Sequence, residues 1–426
     1  MSAPAPASPA AAGRDSLVRW GVVIAAGMVA SNLALPDLLD LPFKNLLRTE
    51  LNLGRDEVSL FLSLAALPWY SKIFAGLLSD SFPLFGTRRR HYLIFTGTLA
   101  AAGWLLVGAM PHDYWPLLFA LMVTNAMLVF VSTVTAALIV ETGKRLGAEG
   151  RLVTVRVVVE NACIVVAGPI AGYLAAKPFG WTGVAGALIV ALTIVPAALF
   201  VLREPPAARN DDSALREAAI KLREALGSPA LWCGALFLAL VLAPQTFNAS
   251  LYFHQIEQLN LANIDIGYLN SVSALAAIAT GVVYAVVRPR LSLRALLVAG
   301  LLFGAIGAAS LLFYRSWEAA LVIEIVRGVL NMVCALALME AAVRATPVSI
   351  AAMGFALLMS AWNVGIAVGD YVGAWLIQRG FVSFYGLAAI YTLLSAMTLL
   401  ALPLLPRSVF VEPTHDANID APAGSS

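Results

Sequence analysis

The chemistry-bearing positions of this chain are ionisable residues set inside apolar runs. A charge at the centre of a hydrocarbon layer costs at least about 2.5–3.5 kcal/mol, so each needs a partner, a cavity or a proton. Lys72 shares a helical face with Trp69 and Gly76. An ammonium there can attract a carboxylate while the indole stacks on a planar ring, or it can be the counter-ion of an acid on a neighbouring helix. Arg156 and Glu160 stand one turn apart and are followed by Asn161, while Glu324, Arg327 and Asn331 share a face of a later helix. Each acid–base pair can neutralise itself along one helix; alternatively, protonation of the acid frees the arginine to hold an anion. Glu160 lies nearer the middle of its run than Glu324 and is the better proton carrier of the two. Asp37, Asp40 and Lys44 also share a face, beside Pro36 and Pro42, which interrupt the helical hydrogen bonds. They either line a transport path or pair at its rim. Asp370 has no base within one turn and has Asn363 on its face. It is a second proton-site candidate, with a cross-helix salt bridge as the other reading. Gln245, Asn248 and Asn125 are lesser candidates for contact with substrate.

The elements that position these groups follow from composition. Of 426 residues, 60% are hydrophobic and 12% charged, whereas soluble domains carry roughly 25% charged residues. A nucleic-acid binder, a disulfide scaffold and a soluble enzyme are thereby excluded. One spanning helix needs about 20 apolar residues, so the length accommodates about twelve. Segmentation at charges, Pro and Gly gives spans at 18–47, 57–79, 92–110, 116–142, 152–176 and 183–202. After a polar stretch come 229–252, 264–287, 293–314, 318–343, 351–378 and 383–405. The expected fold is an all-α membrane protein with twelve transmembrane helices in two pseudo-symmetric six-helix bundles. The bundles are residues 14–203 and 229–407, joined by an amphipathic connector at 204–228. Tails at 1–13 and 408–426 read as disordered. Most of the 27 Lys and Arg residues fall on segments that share a face with the N-terminus. The positive-inside rule therefore puts both termini in the cytoplasm of a multi-pass cell-membrane protein. Cys163, Cys233 and Cys334 lie far apart in apolar runs and read as core residues, and the four histidines fall in or near loops.

The halves resemble one another. Gly76-Leu-Leu-Ser-Asp80 corresponds to Gly281-Val-Val-Tyr-Ala285, Glu141 to Glu340, and Gly168-Pro-Ile-Ala-Gly172 to Gly369-Asp-Tyr-Val-Gly373, at offsets close to 200 residues. Glu141 and Glu340 each have an arginine four residues on, Arg145 and Arg344, that can pair with them. Repeated halves are a signature of secondary transporters, with the substrate site between them. The chain has no phosphate-cradling G-x-x-x-x-G-K-[S/T] loop, so nothing points to a primary pump. Gly365, Gly369 and Gly373 form a small-residue stripe of the kind that packs membrane helices closely.

The most informative stretch is Leu67 to Tyr92. Gly76, Asp80, Gly86 and Arg88–Arg90 form a glycine–aspartate–arginine loop, and Asp80 at a helix end can accept from the arginines as a latch. With Pro68-Trp69, Lys72, Ser79, Pro83 and Tyr92, this stretch resembles the folate-biopterin transporter family within the major facilitator superfamily. The resemblance implies a twelve-helix secondary carrier of folates, pterins or related organic anions, proton-coupled and working by alternating access. Muropeptide and cation-coupled sugar permeases have a similar loop and stay open as alternatives, as does a non-transporting receptor. An enzyme is not expected. The substrate-binding candidates are Lys72, Trp69, Arg156, Asn161, Arg327, Asn331, Asn363, Gln245 and Asn248. Those for proton coupling are Glu160, Asp370, Glu324, Asp37 and Asp40, and those for the latch are Gly76, Asp80, Gly86, Arg88 and Arg89. No metal or cofactor is expected beyond a coupling ion. The expected partners are a small-molecule substrate and the bilayer, with no nucleic acid, and the protein is expected to be a monomer.

Overall fold

The computed structural model describes residues 9–146, 149–204, 213–346 and 351–405. Nearly all of them are helical. The first helix, α1 (Pro9–Met28), starts inside the segment read as an unstructured tail. It passes into a π-helical stretch, Val29–Asp37, and then into α2 (Asp40–Thr49). Pro36 removes a backbone donor there, and the side chains of Ser31 and Asn32 bond back to the Gly27 and Met28 carbonyls at 2.8 and 3.0 Å.

The second rod is broken twice, into α3 (Arg55–Ala65), α4 (Leu67–Tyr70) and α5 (Lys72–Ser81). Pro68 lies in the first turn of α4, where its missing N–H costs nothing. Ser71 leaves helical geometry at φ −104°, ψ 22°. Then follow α6 (Arg90–Ala109), α7 (Tyr114–Leu146), α8 (Glu149–Ala175), α9 (Gly180–Leu192) and the short α10 (Ile194–Pro196). The connector contains α11 (Ser213–Leu226).

The second half begins with α12 (Pro229–Leu242), a 3₁₀ turn at Ala243–Gln245 that contains Pro244, and α13 (Asn248–Glu257). Four long helices follow, α14 (Asn263–Val287), α15 (Leu293–Ser310), α16 (Trp317–Ala345) and α17 (Ala351–Gln378), and then α18 (Phe384–Met397).

Among the described residues, ten helices are long and apolar enough to cross a membrane. The first two rods fall outside that set. The apolar part of the first, Val18–Leu33, is short, and the second is interrupted at Ala66 and Ser71 and carries several charges. The chain is a multi-pass membrane protein.

Each half has an apolar core, and that of the first half also takes in Tyr252, Phe253 and Ile266 of the second. Trp104, Phe43, Phe61 and Leu121 anchor that of the first half. Phe237, Leu297 and Leu338 anchor one cluster of the second, and Leu311, Tyr314 and Leu387 another. The halves meet where α8 lies against α14. A Cβ on Gly168 would strike the Gly267 carbonyl, and one on Gly172 would come within 2.6 Å of the Asn263 carbonyl oxygen. Within the second half the glycine stripe does the same work: a Cβ on Gly365 would lie 2.8 Å from Ala239 Cα.

Candidate functional site

Two ends of the bundle are distinguished by their loops. One gathers the turns near residues 50–54, 111–113, 176–179 and 258–262, and is called distal here. The other, proximal, holds the turns near residues 82–89 and 288–292 and the connector helix α11.

The distal end is sealed by polar bonds between the halves. Arg55 pairs with Glu257 at 2.9 Å and lies over the Phe253 ring. Ser59 donates to Asp370 at 2.6 Å, and Asp370 also accepts the backbone amide of Ala249 at 3.0 Å. Asn45 donates to the Ala175 carbonyl at 2.8 Å and accepts from Asn263 at 3.1 Å and from the Tyr252 hydroxyl at 3.5 Å. Asp370 thus finds partners on two other helices instead of a base on its own. Lys44 and Asp40 are paired at 2.6 Å. The side chain of Asp37 lies outside the described residues.

Further in, Trp69 and Lys72 lie on either side of the break at Ser71, with the Lys72 ammonium 5.2 Å from the ring centroid. The ammonium donates to Ser132 of α7 at 2.8 Å. The indole is held in turn: Trp69 Nε1 donates to Asn125 Oδ1 at 3.0 Å, and Asn125 Nδ2 donates to the Ala65 carbonyl at 2.8 Å. Asn125 therefore orients the indole. Arg156 and Glu160 are the charged neighbours that act electrostatically on Lys72. They stand 3.6 Å apart and keep 46% and 39% of their side-chain surface accessible. Lys72, Arg156 and Glu160 together carry two cations and one carboxylate, a net positive charge. The side chain of Asn161 lies outside the described residues.

In α17, Ser360 bonds the Tyr70 carbonyl at 2.7 Å, so this face looks toward the same break. Asn363 lies on it, half-buried and without a hydrogen-bond partner among the described residues. Asn248 is exposed at the start of α13.

The remaining candidates lie deeper in the second half. Arg327 and Glu324 pair at 2.9 Å with 13% and 7% accessible surface. Tyr314 donates to Glu324 at 3.4 Å and accepts from Gln255 at 2.7 Å. His254, read from the sequence as lying in or near a loop, is in fact buried in α13, where it stacks on Phe384 at 3.9 Å and bonds the Tyr314 carbonyl at 3.0 Å. Gln245 has both ends of its amide engaged, by the Val241 carbonyl at 3.0 Å and the Cys334 thiol at 3.6 Å. Asn331 is exposed, with its amide oxygen against Gly307 of α15. Gln245 and the Glu324–Arg327 pair thus find their partners within the second half.

At the proximal end, Arg89 reaches Glu141 at 2.5 Å and Ser79 at 3.1 Å. Both partners belong to its own half, so Glu141 is held by a residue of the loop before α6, and the side chain of Arg145 lies outside the described residues. Arg288 reaches Glu340, which also accepts Arg344 at 2.8 Å. Each arginine lies 52 residues before its glutamate, so the internal repeat has a matching ion pair in each half. Glu204 caps α6, accepting the backbone amides of Arg88, Arg89 and Arg90 at 3.1, 2.9 and 2.9 Å.

Gly86 has φ +78°, a turn conformation that suits glycine. Gly76 does not mark a close helix approach, since a Cβ there would meet Thr133 at 3.5 Å, an ordinary contact. The side chain of Asp80 lies outside the described residues.

Sequence reasoning missed Ser132, Ser59, Arg55, Glu257 and Glu204. The serines have no signature of their own. Arg55 and Glu257 sit at helix ends on either side of the connector, where only a structure can join them.

The comparisons agree with this architecture. The BT1 family model matches residues 35–417. A folate-biopterin transporter of Synechocystis sp. is 26% identical over 379 residues, which are 84% of this chain and 76% of its own length. Folate transporter 1 of Plasmodium falciparum is 26% identical over 90 residues, 21% of this chain and 18% of that protein. Among solved structures, a D-xylose–proton symporter superposes with a TM-score of 0.69 at 13% identity, covering 92% of this chain and 98% of its own. A nucleoside transporter gives 0.68 at 11% identity, with coverage of 91% and 100%. Those two likenesses establish the fold, which is that of major facilitator transporters, and the relatives are transporters rather than enzymes. On the match over residues 35–417, this membrane transporter belongs to the BT1 family.

Proposed function

We propose that the protein is a secondary carrier of a small organic anion of the folate or pterin class. It works by alternating access between two six-helix halves and is driven by protons. The observation that carries this reading is the placement of the Lys72 ammonium beside an oriented Trp69 indole, with Arg156 facing it. A carboxylate is drawn by the two cations, and a flat heterocycle gains stacking and cation–π contact at the same place. Glu160 competes with the substrate for Arg156. When a proton occupies Glu160, the arginine is released to the anion, so proton and substrate load together. Asn363 offers an amide to the far edge of the bound molecule. On this reading the two broken rods 9–49 and 55–81 cross the membrane with the ten apolar helices. The termini lie in the cytoplasm, the protein is a monomer, and the carrier needs no cofactor besides the coupling proton.

The test is uptake of labelled folate into proteoliposomes under an inward proton gradient, with and without an uncoupler. Accumulation that collapses with the uncoupler is the expected result. Glu160→Gln is expected to lose accumulation while keeping exchange of internal for external substrate. No uptake by correctly inserted protein would remove folate as substrate, and uptake of a neutral sugar indifferent to Lys72→Ala would favour the permease alternative.

A further inference from the structure

One carboxylate in the distal seal ties three elements together. Asp370 of α17 accepts the Ser59 hydroxyl from the first half and the Ala249 amide from α13 of the second. It is buried, with 8% of its surface accessible. Ala249 is the second residue of α13, so the carboxylate closes the amide end of that helix, where negative charge is favoured. The charged and titratable groups that act on it are Lys44 and Asp40 from α2 and Tyr391 from α18. Lys44 is already paired with Asp40 at 2.6 Å, and the Tyr391 hydroxyl is donated to the Gly369 carbonyl at 2.6 Å. Asp370 therefore relies on the Ser59 hydroxyl and the Ala249 amide to hold its charge. The other ties of the seal use arginine, amide and phenol groups around Arg55, Asn45 and Tyr252, with Glu257 as the only other carboxylate in it among the described residues.

We infer that proton occupancy of Asp370 sets whether the distal seal is closed or open. This inference extends the proton coupling proposed above to a second carboxylate and is independent of the substrate. An ionised carboxylate offers only acceptors, and both of its bonds are charge-assisted. Protonation takes up one acceptor position and leaves neutral bonds of roughly half the strength. The tie from α3 to α17 and the cap on α13 weaken together, so the halves part at the distal end. A proton arriving from the distal side thereby opens the face on which it is abundant. Return of Asp370 to the ionised form after the proton leaves proximally closes that face again.

The test measures the distance between spin labels at Asp113→Cys and Arg379→Cys, in the full chain with Cys163, Cys233 and Cys334 replaced by alanine. No substrate is added. The long-distance population is expected to rise several-fold between about pH 8 and about pH 4, across the range in which carboxyl groups of folded proteins titrate. Asp370→Asn is expected to show the long distance at both pH values. Ser59→Ala keeps the carboxylate and loses the tie between halves, and is expected to raise the long-distance population at the higher pH. Arg55→Gln is expected to loosen the seal while keeping the pH response. A wild-type pH response in Asp370→Asn, or an unchanged closed population in Ser59→Ala, would overturn the inference. If Asp370→Asn does not fold, Ser59→Ala decides alone. A pH response without any folate uptake would leave this gate standing and remove only the substrate.

Discussion

Lys72 and Trp69 stand on opposite sides of the helix break at Ser71, with the ammonium 5.2 Å from the indole centroid. Residues three apart are also neighbours on one face of a regular helix, so the pair keeps its approach across the interruption.

Lys72→Ala is expected to lower anion uptake at least tenfold, in line with the roughly 1.5–3 kcal/mol carried by a hydrogen bond to a charged group. Lys72→Arg keeps the charge and is expected to restore part of the rate. Initial rates in proteoliposomes, normalised to inserted protein, check both. Equal rates for wild type and Lys72→Ala would show that the ammonium has no part in transport.

Asn125→Ala releases the indole from its 3.0 Å bond without touching Lys72. The expected result is a KM for planar anions several-fold higher, with little change in maximal rate, because orientation is lost and charge is kept. Trp69→Phe is expected to give a smaller shift in the same direction, since it retains a ring but loses the bond.

Glu340→Ala leaves Arg288 and Arg344 without the carboxylate they share. Because the pair is partly buried, the expected destabilisation is about 1–3 kcal/mol, below the range for fully buried pairs. Thermal unfolding in detergent should show a Tm several degrees lower. Arg344→Ala, which leaves Arg288 in place, should cost less. Equal losses for the two variants would show that Arg288 does not contribute.

Gly172→Val places side-chain carbon within 2.6 Å of the Asn263 carbonyl and Ile264 Cα. Nothing flexible stands there to give way, so α8 and α14 cannot keep their distal approach. The variant is expected to favour the open distal face, read as increased labelling of Asn263→Cys in the same chain. Gly76→Ala meets only an ordinary contact with Thr133 and is expected to leave that labelling unchanged.

Much of the fold is legible in the sequence, because helical spans in a membrane are written in long apolar runs and repeated halves share residue types at a common offset. Glu141 and Glu340 correspond by sequence, and the structure gives each an arginine 52 residues earlier. The tie from Arg89 to Glu141 was not legible, since it joins a loop residue to a helix far along the chain, whereas the tie from Arg344 to Glu340 on one helix was. The pairs Asp40–Lys44 and Glu324–Arg327 were legible because both members lie on one helix. Asp370 marks the limit from the other side. Its oddness as an acid without a base on its own helix is plain in the sequence, but its partners are 311 and 121 residues away and carry no charge. His254 was misjudged for a related reason. A break at Pro244 restarts the helix three residues after Gln245, and proximity to a loop in sequence does not report burial.

The bonds that close the distal end are polar, and this has a consequence for the energy of the cycle. When the seal parts, Arg55, Glu257, Ser59 and Asn45 exchange each other for water, and a hydrogen bond traded in this way is worth only about 0.5–1.5 kcal/mol net. For the opening proposed above, these polar exchanges cost little, where about 1.4 kcal/mol shifts a population tenfold, whereas the packing of Tyr252, Phe253 and Ile266 into the first half's core resists it. Ionic strength at the distal face weakens the Arg55–Glu257 attraction, so salt alone should tilt the resting balance between the two faces.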